Sequence, residues 1–267
     1  MKLYIAVGTA VLLVMAIFII VFVAYYQQKQ VKQQLALKEL QETYRRELMA
    51  ATFLGQEEER RRLARDLHDE IGTMLSVTKM SLNQLDRKFS STPGADLLIQ
   101  KTRSLLDETM SNVRRISRDL VPTTLERFGL IPALEELIEK ADDGELHLQL
   151  ECPDTIDKLP PSLELMLYRI AQELVNNALK HAGATEILIQ IVCLDNGVRL
   201  SVTDNGAGFD FDEVVRDKQR GLGLRNIESR LSIVDGHVTF DVAPGRGSRI
   251  HVQVRLDAPQ PELLPVS

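Results

Sequence analysis

Apolar residues recur every three or four positions through the first half of this chain, a spacing typical of helices that pack on one face. From Glu57 to Leu85 the apolar face comprises Leu63, Leu67, Ile71, Met74, Leu82 and Leu85. A second face of this kind runs from Leu98 to Leu120, after the turn residues Ser90 to Ala95. The two patterns predict an antiparallel helical hairpin. One hairpin cannot cover both apolar faces, so we expect a homodimer that forms a four-helix bundle.

The longest apolar run lies at the N-terminus. Tyr4 to Tyr26 contains no charged residue, and at 1.5 Å per residue it is long enough to cross a hydrocarbon core of about 30 Å. A cleaved signal peptide is the alternative, but the run is long for one and no cleavage site of small residues precedes Gln27. More lysines follow the run than precede it, so the positive-inside rule predicts a single-pass anchor with the bulk of the chain in the cytoplasm.

The segment after this run is polar and favours helix. Residues 27–56 contain no proline, and their apolar positions form an imperfect face: Val31, Leu35, Leu40, Tyr44 and Leu48. This pattern predicts a coiled-coil-like connector that leads into the hairpin. At its end Glu57 and Glu58 stand four residues before Arg61 and Arg62, which is the spacing of solvent-exposed ion pairs within one helix.

The pattern changes in the second half of the chain. Val121 to Leu134 contains two prolines and a glycine, which predicts a break in the helix and a domain boundary. Beyond it we predict strands at 146–152, 186–194, 198–203, 237–242 and 248–256, and helices at 161–182 and 223–234. The expected domains are an anchor (1–26), a connector (27–56), a helical domain (57–132), an α+β domain (133–257) and a disordered tail (258–267).

Composition narrows the function classes. The 267 residues carry a formal net charge of −6 and no tryptophan, so we expect neither direct nucleic-acid binding nor base-stacking platforms. The two cysteines, Cys152 and Cys193, each sit in an apolar run far from the other. We expect both to be buried small hydrophobic residues, with a disulfide or a metal site as the alternative.

His68 is the first candidate for chemistry. It follows a position of the apolar face by one residue, so it is expected at the edge of that face, within reach of solvent. Gly72, one turn further on, leaves room beside the imidazole. Asp69 follows directly, and a carboxylate there can orient the ring or accept a proton from it. A lone histidine on an amphipathic helix is usually an ordinary boundary residue, so this stretch alone leaves both interpretations open.

A second candidate lies on the helix predicted at 161–182. Glu173, Asn177 and Lys180 fall at positions i, i+4 and i+7, on one face. Carboxylate and carboxamide oxygens suit Mg²⁺, and an ammonium group suits phosphates. An ordinary polar helix face is the alternative for this helix taken by itself.

Three glycine-rich turns complete the candidate site. Asp204 to Phe209 reads DNGAGF, and its glycines let a flat ligand approach the backbone, while Asp204 can accept a hydrogen bond from an exocyclic amine. Gly221 to Leu224 leads into a helix whose N-terminus can hold phosphate. Gly245 to Ser248 reads GRGS. Between the first two turns, residues 210–220 are polar and predict a mobile loop.

In combination these motifs resemble the sensor histidine kinases of bacterial two-component systems. Glu173–Asn177 (ExxxN) resembles the N box of the GHKL superfamily, which includes gyrase and MutL. DNGAGF, GLGL and GRGS resemble its G1 box, G2 box and last glycine box. The segment RRLARDLHDEIG around His68 resembles the H box of a subfamily whose partner regulators usually carry a helix-turn-helix output domain.

The resemblance implies an α+β ATP-binding sandwich of the GHKL type after an all-α dimerisation hairpin. It implies that ATP with Mg²⁺ is bound, with Glu173 and Asn177 at the metal, by Glu173, Asn177, Lys180, His181, Asp204, Gly206, Gly208, Gly221, Leu222, Gly223, Leu224, Gly247 and Ser248. The loop at 210–220 would be the ATP lid. The location implied is the bacterial cytoplasmic (inner) membrane.

The resemblance also implies a reaction. His68 would attack the γ-phosphate with Asp69 as general base, and the phosphoryl group would pass to an aspartate of a response regulator. Thr73 is a departure, because the subfamily usually has a glutamine there that orients a water for dephosphorylating the regulator. A threonine hydroxyl can also hold a water. Two alternative functions are a GHKL-type ATPase whose nucleotide cycle drives a conformational change, and a non-catalytic nucleotide-binding scaffold.

Overall fold

The computed structural model describes residues 2–89, 95–141, 146–153, 159–216 and 222–256. Most of the predicted turn at 90–95, the end of the predicted lid and the predicted tail at 258–267 therefore lie outside the described residues. The chain divides into two compact units, Met1–Leu48 and Met49–Ser267. The second unit contains the hairpin and the sheet.

Helix α1, Lys2–Asp66, includes the segments predicted as anchor and connector. A membrane-spanning helix needs about 20 consecutive, mainly apolar residues. In the part of the chain that the structure describes, no helix meets both the length and the apolar character that a bilayer demands. The predicted N-terminal transmembrane helix is therefore wrong, whereas the helical conformation predicted for residues 27–56 is confirmed.

The helical hairpin is confirmed. A π-helical turn, Leu67–Ile71, follows α1 and leads into α2, Gly72–Phe89, which lies against α3, Ala95–Leu120. Two ion pairs cross the hairpin, Lys79 with Asp107 and Asp86 with Arg103, both at 2.6 Å. Several apolar residues of the predicted faces remain exposed in the π-helical turn, α2 and α3: Ile71, Met74, Leu85, Leu98, Leu105 and Ile116.

Two short helices occupy the stretch that the sequence predicts as a break. Helix α4, Thr123–Phe128, ends at Gly129, whose φ is 86°. Helix α5, Leu130–Ala141, then begins, and Pro132 falls in its first turn, where the missing N–H loses no intrahelical bond. Leu130, Leu134 and Leu137 are buried in the core of the second unit. The break is thus a change of direction between helices.

A five-stranded sheet forms the second layer. Its strands are β1 His147–Glu151, β2 Glu186–Leu194, β3 Gly197–Asp204, β4 His237–Val242 and β5 Ser248–Arg255. They lie in the order β1-β2-β3-β5-β4, with only the β1–β2 pair parallel in the described sheet. These strands confirm the predicted α+β sandwich.

The helices of this domain cover one face of the sheet. Helix α6 is Pro161–Asn177, followed by a second π-helical turn, Ala178–Ala182, and α8 is Leu222–Ile233. Their apolar faces join the core with the alternate residues of the strands, such as Val198, Leu200 and Val202. A further helix, α7 Phe211–Arg216, lies within the loop predicted at 210–220.

The prediction for the two cysteines is wrong. Cys152 and Cys193 are exposed and form no disulfide. Cys152 follows the last residue of β1, and Cys193 is the last but one residue of β2. Each cysteine therefore continues the apolar pattern of its strand at a position that the helical layer does not cover.

Candidate functional site

The residues of the ExxxN motif meet the GLGL motif across the helical layer. The apolar positions of α6 are buried in the core, and Glu173 and Asn177 stay partly accessible. A Cβ placed on Gly223 would lie 2.6 Å from Oε1 of Glu173 and 3.4 Å from Nδ2 of Asn177. The absence of a side chain at Gly223 is what allows this close approach of α8 to α6. Gly221 lies outside the described residues, and Leu224 is buried.

Asp204 ends β3 in a turn that fixes its carboxylate. Oδ1 accepts a hydrogen bond of 2.9 Å from the backbone N–H of Gly206, and the hydroxyl of Ser248 donates to Oδ2. Gly247 has φ 72°, and a Cβ there would lie 2.1 Å from the carbonyl oxygen of Asp204. The DNGAGF and GRGS motifs therefore form one structural unit, in which Asp204 is 7% exposed.

This unit is joined to the end of the π-helical turn that follows α6. The N–H of Ala207 donates to the carbonyl of Ala182 at 2.8 Å, and a Cβ on Gly206 would lie 2.5 Å from the Cβ of Ala182. Gly208 has φ 61° and packs against the carbonyl of Ala243. Lys180 and His181 are exposed in the π-helical turn between the two motifs. The structure thus brings the predicted nucleotide residues that it describes to one end of the domain.

His68 lies elsewhere, on the hairpin. It is exposed in the first π-helical turn, together with Asp69. The N–H of Gly72 closes the turn by donating to the carbonyl of Leu67. Thr73 is exposed at the start of α2. Single π-helical turns within α-helices are frequent at functional sites, and this one places the candidate acceptor in solvent.

A cavity of about 510 Å³ adjoins His68. Its other lining residues all belong to α2 and α3: Lys79, Asp107, Met110, Ser111, Arg114, Ser117 and Arg118. None of the predicted nucleotide residues that the structure describes lines it. The structure therefore keeps the predicted acceptor and the predicted nucleotide site as two separate surfaces.

Sequence reasoning missed the ion pair that joins these two parts of the second unit. Arg169 of α6 donates to both carboxylate oxygens of Glu57 of α1, at 2.9 and 2.7 Å, and to the carbonyl of Leu120 at 2.8 Å. Both side chains are buried. A signal was present, because Arg169 interrupts an apolar run and a buried charge needs a buried partner.

The prediction of exposed pairs within α1 is wrong for this carboxylate. Glu57 is buried against Arg169 of α6, and within its own helix it pairs with Arg60 at 3.8 Å and not with Arg61. Arg61 pairs with Glu126 of α4 at 2.9 Å. Arg62 does pair within the helix, but with Glu59 at 2.6 Å. The four-residue spacing correctly indicated a helix. It could not show that α6 covers the side of this helix that carries Glu57.

Two further arginines lie near this ion pair. Burial lowers the pKa of Arg60 and of Arg230, and in both cases a neighbouring arginine lowers it further while Glu57 and Glu173 act in the opposite direction. Arginine stays protonated under all ordinary conditions. The guanidinium of Arg230 also lies over the ring of Phe53, 5.5 Å from its centroid. Glu173 is therefore within electrostatic range of two positive charges.

The donor set near Glu173 fits a magnesium ion that arrives with its nucleotide. Within the described ranges no group of three or more His, Cys, Asp or Glu side chains is arranged to hold a metal. Mg²⁺ usually keeps several waters and is held by one or two carboxylates together with substrate phosphates. Glu173 and Asn177 can supply two oxygens for such an ion.

Comparison with known proteins identifies both halves of the second unit. Residues 59–125 match the family described as histidine kinase, and residues 162–258 match the family described as histidine kinase-, DNA gyrase B-, and HSP90-like ATPase. The chain belongs to the two-component sensor histidine kinases. The match at residues 59–125 contains His68, and the match at residues 162–258 contains every predicted nucleotide residue. The domain at 162–258 is thus an ATP-binding domain.

Curated relatives agree with this assignment. The chain is 36% identical over 179 residues to the sensor histidine kinase MctS of Rhizobium johnstonii. The aligned residues cover 66% of this chain and 39% of the relative. It is 32% identical over 213 residues to the signal transduction histidine-protein kinase/phosphatase DegS of Bacillus subtilis, covering 76% of this chain and 54% of the relative. The chain therefore spans about half, or less, of the length of these relatives.

Proposed function

We propose that the chain is a protein-histidine kinase that phosphorylates His68 from ATP and passes the phosphoryl group to an aspartate of a response regulator. One observation carries the proposal. The histidine kinase match covers an exposed histidine on a helical hairpin, and the ATPase match covers four motifs that converge at one end of the sheet. A donor site and an acceptor on separate surfaces suit a reaction in which the two meet only transiently.

The chemical step uses the imidazole of His68 as the nucleophile. A ring nitrogen gives its lone pair to the γ-phosphorus, the bond from that phosphorus to the bridging oxygen breaks, and ADP leaves with the electron pair. The proton of the other ring nitrogen passes to Asp69, which is exposed beside it. In a loose phosphoryl transition state the contribution of the protein is positioning and charge neutralisation.

The nucleotide residues bind three parts of the Mg²⁺–ATP complex: the adenine, the metal ion and the phosphates. Asp204, held by Gly206 and Ser248, accepts a hydrogen bond from the adenine amine. Glu173 and Asn177 would hold the magnesium ion, which would neutralise charge on the phosphates. Lys180 and His181, exposed beside the DNGAGF turn, attract the phosphates.

The partners follow from the exposed surfaces. The uncovered apolar side of the hairpin supports a homodimer, in which a second copy buries the same residues. We expect a response regulator with a helix-turn-helix output domain to receive the phosphoryl group at His68. Thr73 lies exposed one turn beyond His68, and we propose that its hydroxyl holds the water that hydrolyses the phosphorylated aspartate of the regulator.

Phosphotransfer tests this proposal. The full chain is incubated with γ-labelled ATP and Mg²⁺, freed of nucleotide, and mixed with a helix-turn-helix response regulator or with its variant that lacks the acceptor aspartate. Label should move to the regulator, should not move to the variant, and should not be acquired by the kinase when EDTA removes Mg²⁺. Steady ATP hydrolysis without label on the chain would favour the ATPase alternative, and nucleotide binding without either reaction would favour the scaffold.

A further inference from the structure

The cavity beside His68 is built largely from charged and hydroxyl side chains. Lys79, Asp107, Arg114 and Arg118 line it, together with Ser111 and Ser117. The antiparallel packing of α3 against α1 and α2 explains why these residues meet. Ser117 donates to the carbonyl of Ala64 at 3.1 Å, and Asp107 pairs with Lys79. His68 lies between these two cross-links and therefore faces the part of α3 that carries Arg114.

Two of the cations in this cavity have no carboxylate partner in the described residues. Lys79 is neutralised by Asp107, 2.6 Å away. Arg114 and Arg118 are exposed and take part in none of the ion pairs of the described structure, although the charge of Arg118 reaches Glu136 at longer range. Arg115, by contrast, lies outside the cavity and pairs with Asp119 at 4.0 Å. The lining thus carries two guanidinium groups that no carboxylate of the described residues holds in an ion pair.

The cavity lies on the side of α3 away from its exposed apolar residues. Asp107 follows Leu105 by two positions, and Arg118 follows Ile116 by two. Two positions correspond to about 200° around a helix of 3.6 residues per turn. A second copy that covers Leu105 and Ile116 therefore leaves the cavity beside His68 open to solvent.

We propose that Arg114 and Arg118 bind the phosphoryl group carried by His68, an inference that rests on the proposed function. The group is a dianion, and arginine forms two parallel charge-assisted hydrogen bonds with such oxygens. The step forms no covalent bond: guanidinium N–H groups of α3 donate to phosphoryl oxygens once the phosphorus–nitrogen bond exists. The arginines stabilise the phosphorylated chain relative to ATP, and hence the intermediate that the regulator consumes.

The test measures the equilibrium of the first reaction. The full chain, wild type or variant, is incubated with labelled ATP, Mg²⁺ and added ADP until the label on the chain is constant. The quantity compared is the concentration product of phosphorylated chain and ADP divided by that of unphosphorylated chain and ATP. The variants are Arg114→Gln, Arg118→Gln and the double variant, with Arg115→Gln as the matched control. Affinity for a fluorescent ATP analogue is measured on each.

We expect the double variant to lower this ratio about tenfold or more, with nucleotide affinity unchanged, because each lost contact is a hydrogen bond to a charged group. Arg115→Gln should leave the ratio unchanged, and Arg114→Lys should recover part of it in the single-residue series. A ratio equal to that of the wild type would overturn the inference, as would a loss that merely follows weakened ATP binding. A wild-type chain that acquires no label at His68 would instead overturn the proposed function itself.

Discussion

Arg169 holds Glu57 with two hydrogen bonds, at 2.9 and 2.7 Å, and the side chains are 2% and 7% exposed. Glu57 lies about three helical turns before His68, and Arg169 lies about one turn before Glu173. The pair thus joins the helix of the phosphate acceptor to the helix of the nucleotide site. Any movement of the ATP-binding domain toward His68 must either preserve this buried contact or break it.

Breaking one side of this pair should destabilise the chain strongly. Glu57→Gln leaves the guanidinium of Arg169 buried without its counter-charge, so the free energy of unfolding of the second unit should fall by about 3–5 kcal/mol. Urea unfolding, followed by circular dichroism, measures it. Glu59→Gln is the control, since Glu59 forms an exposed pair with Arg62. Equal stability of the two variants would show that the buried contact does not hold the domains.

Gly223→Ala should weaken nucleotide binding. The added methyl group would lie 2.6 Å from Oε1 of Glu173, so the carboxylate must turn away or α8 must shift, and either change disturbs the site. We expect the affinity for ATP to fall about tenfold or more, as measured by titration with a fluorescent analogue. Gly55→Ala is the control, because nothing lies within 4 Å of a Cβ there and alanine is the better helix former. Unchanged affinity in Gly223→Ala would place the nucleotide away from this contact.

Two glycines of the GRGS turn form a matched pair for testing Asp204. Gly245 and Gly247 have similar positive φ values, 77° and 72°, so alanine is strained at both. Only at Gly247 does a Cβ clash with the backbone of Asp204, whereas nothing lies within 4 Å at Gly245. Gly247→Ala should therefore abolish ATP binding, and Gly245→Ala should lose stability of about 1 kcal/mol and keep its affinity. Similar affinities in the two variants would separate ATP binding from the position of Asp204.

Thr73→Gln should raise phosphatase activity. The longer carboxamide can reach a water near the phosphorylated aspartate of a bound regulator, whereas the threonine hydroxyl ends closer to α2. Labelled regulator, freed of nucleotide, is mixed with each chain, and the loss of its label is followed over time. Ser81→Gln, an exposed position further along α2, should behave as the wild type. If Thr73→Gln removes label no faster than the wild type, the position does not set the dephosphorylation rate.

Sequence patterns predicted the features that depend on residues close together in the chain. Alternation gave the strands around Leu200 and Ile250, and the glycine turns next to Asp204 were recognisable because close backbone contacts exclude side chains. The pairing of Glu57 with Arg169 was not predicted, because it joins residues far apart in sequence and depends on how the ATP-binding domain docks. The exposure of Cys152 was missed for the same reason, since an apolar strand does not show where its helical cover ends. The predicted transmembrane helix rested on the length, the apolar character and the flanking lysines of residues 4–26, and the finding for the described helices contradicts it.

Labelling of His68 tests the central claim most directly. The full chain and its His68→Gln variant are incubated with γ-labelled ATP and Mg²⁺, and the variant is first shown to bind ATP and to unfold as the wild type does. The account predicts label on the wild type that is stable in base, is lost in acid and is absent from the variant. Equal labelling of the two chains, or a wild type that binds ATP and stays unlabelled as a dimer, would contradict it.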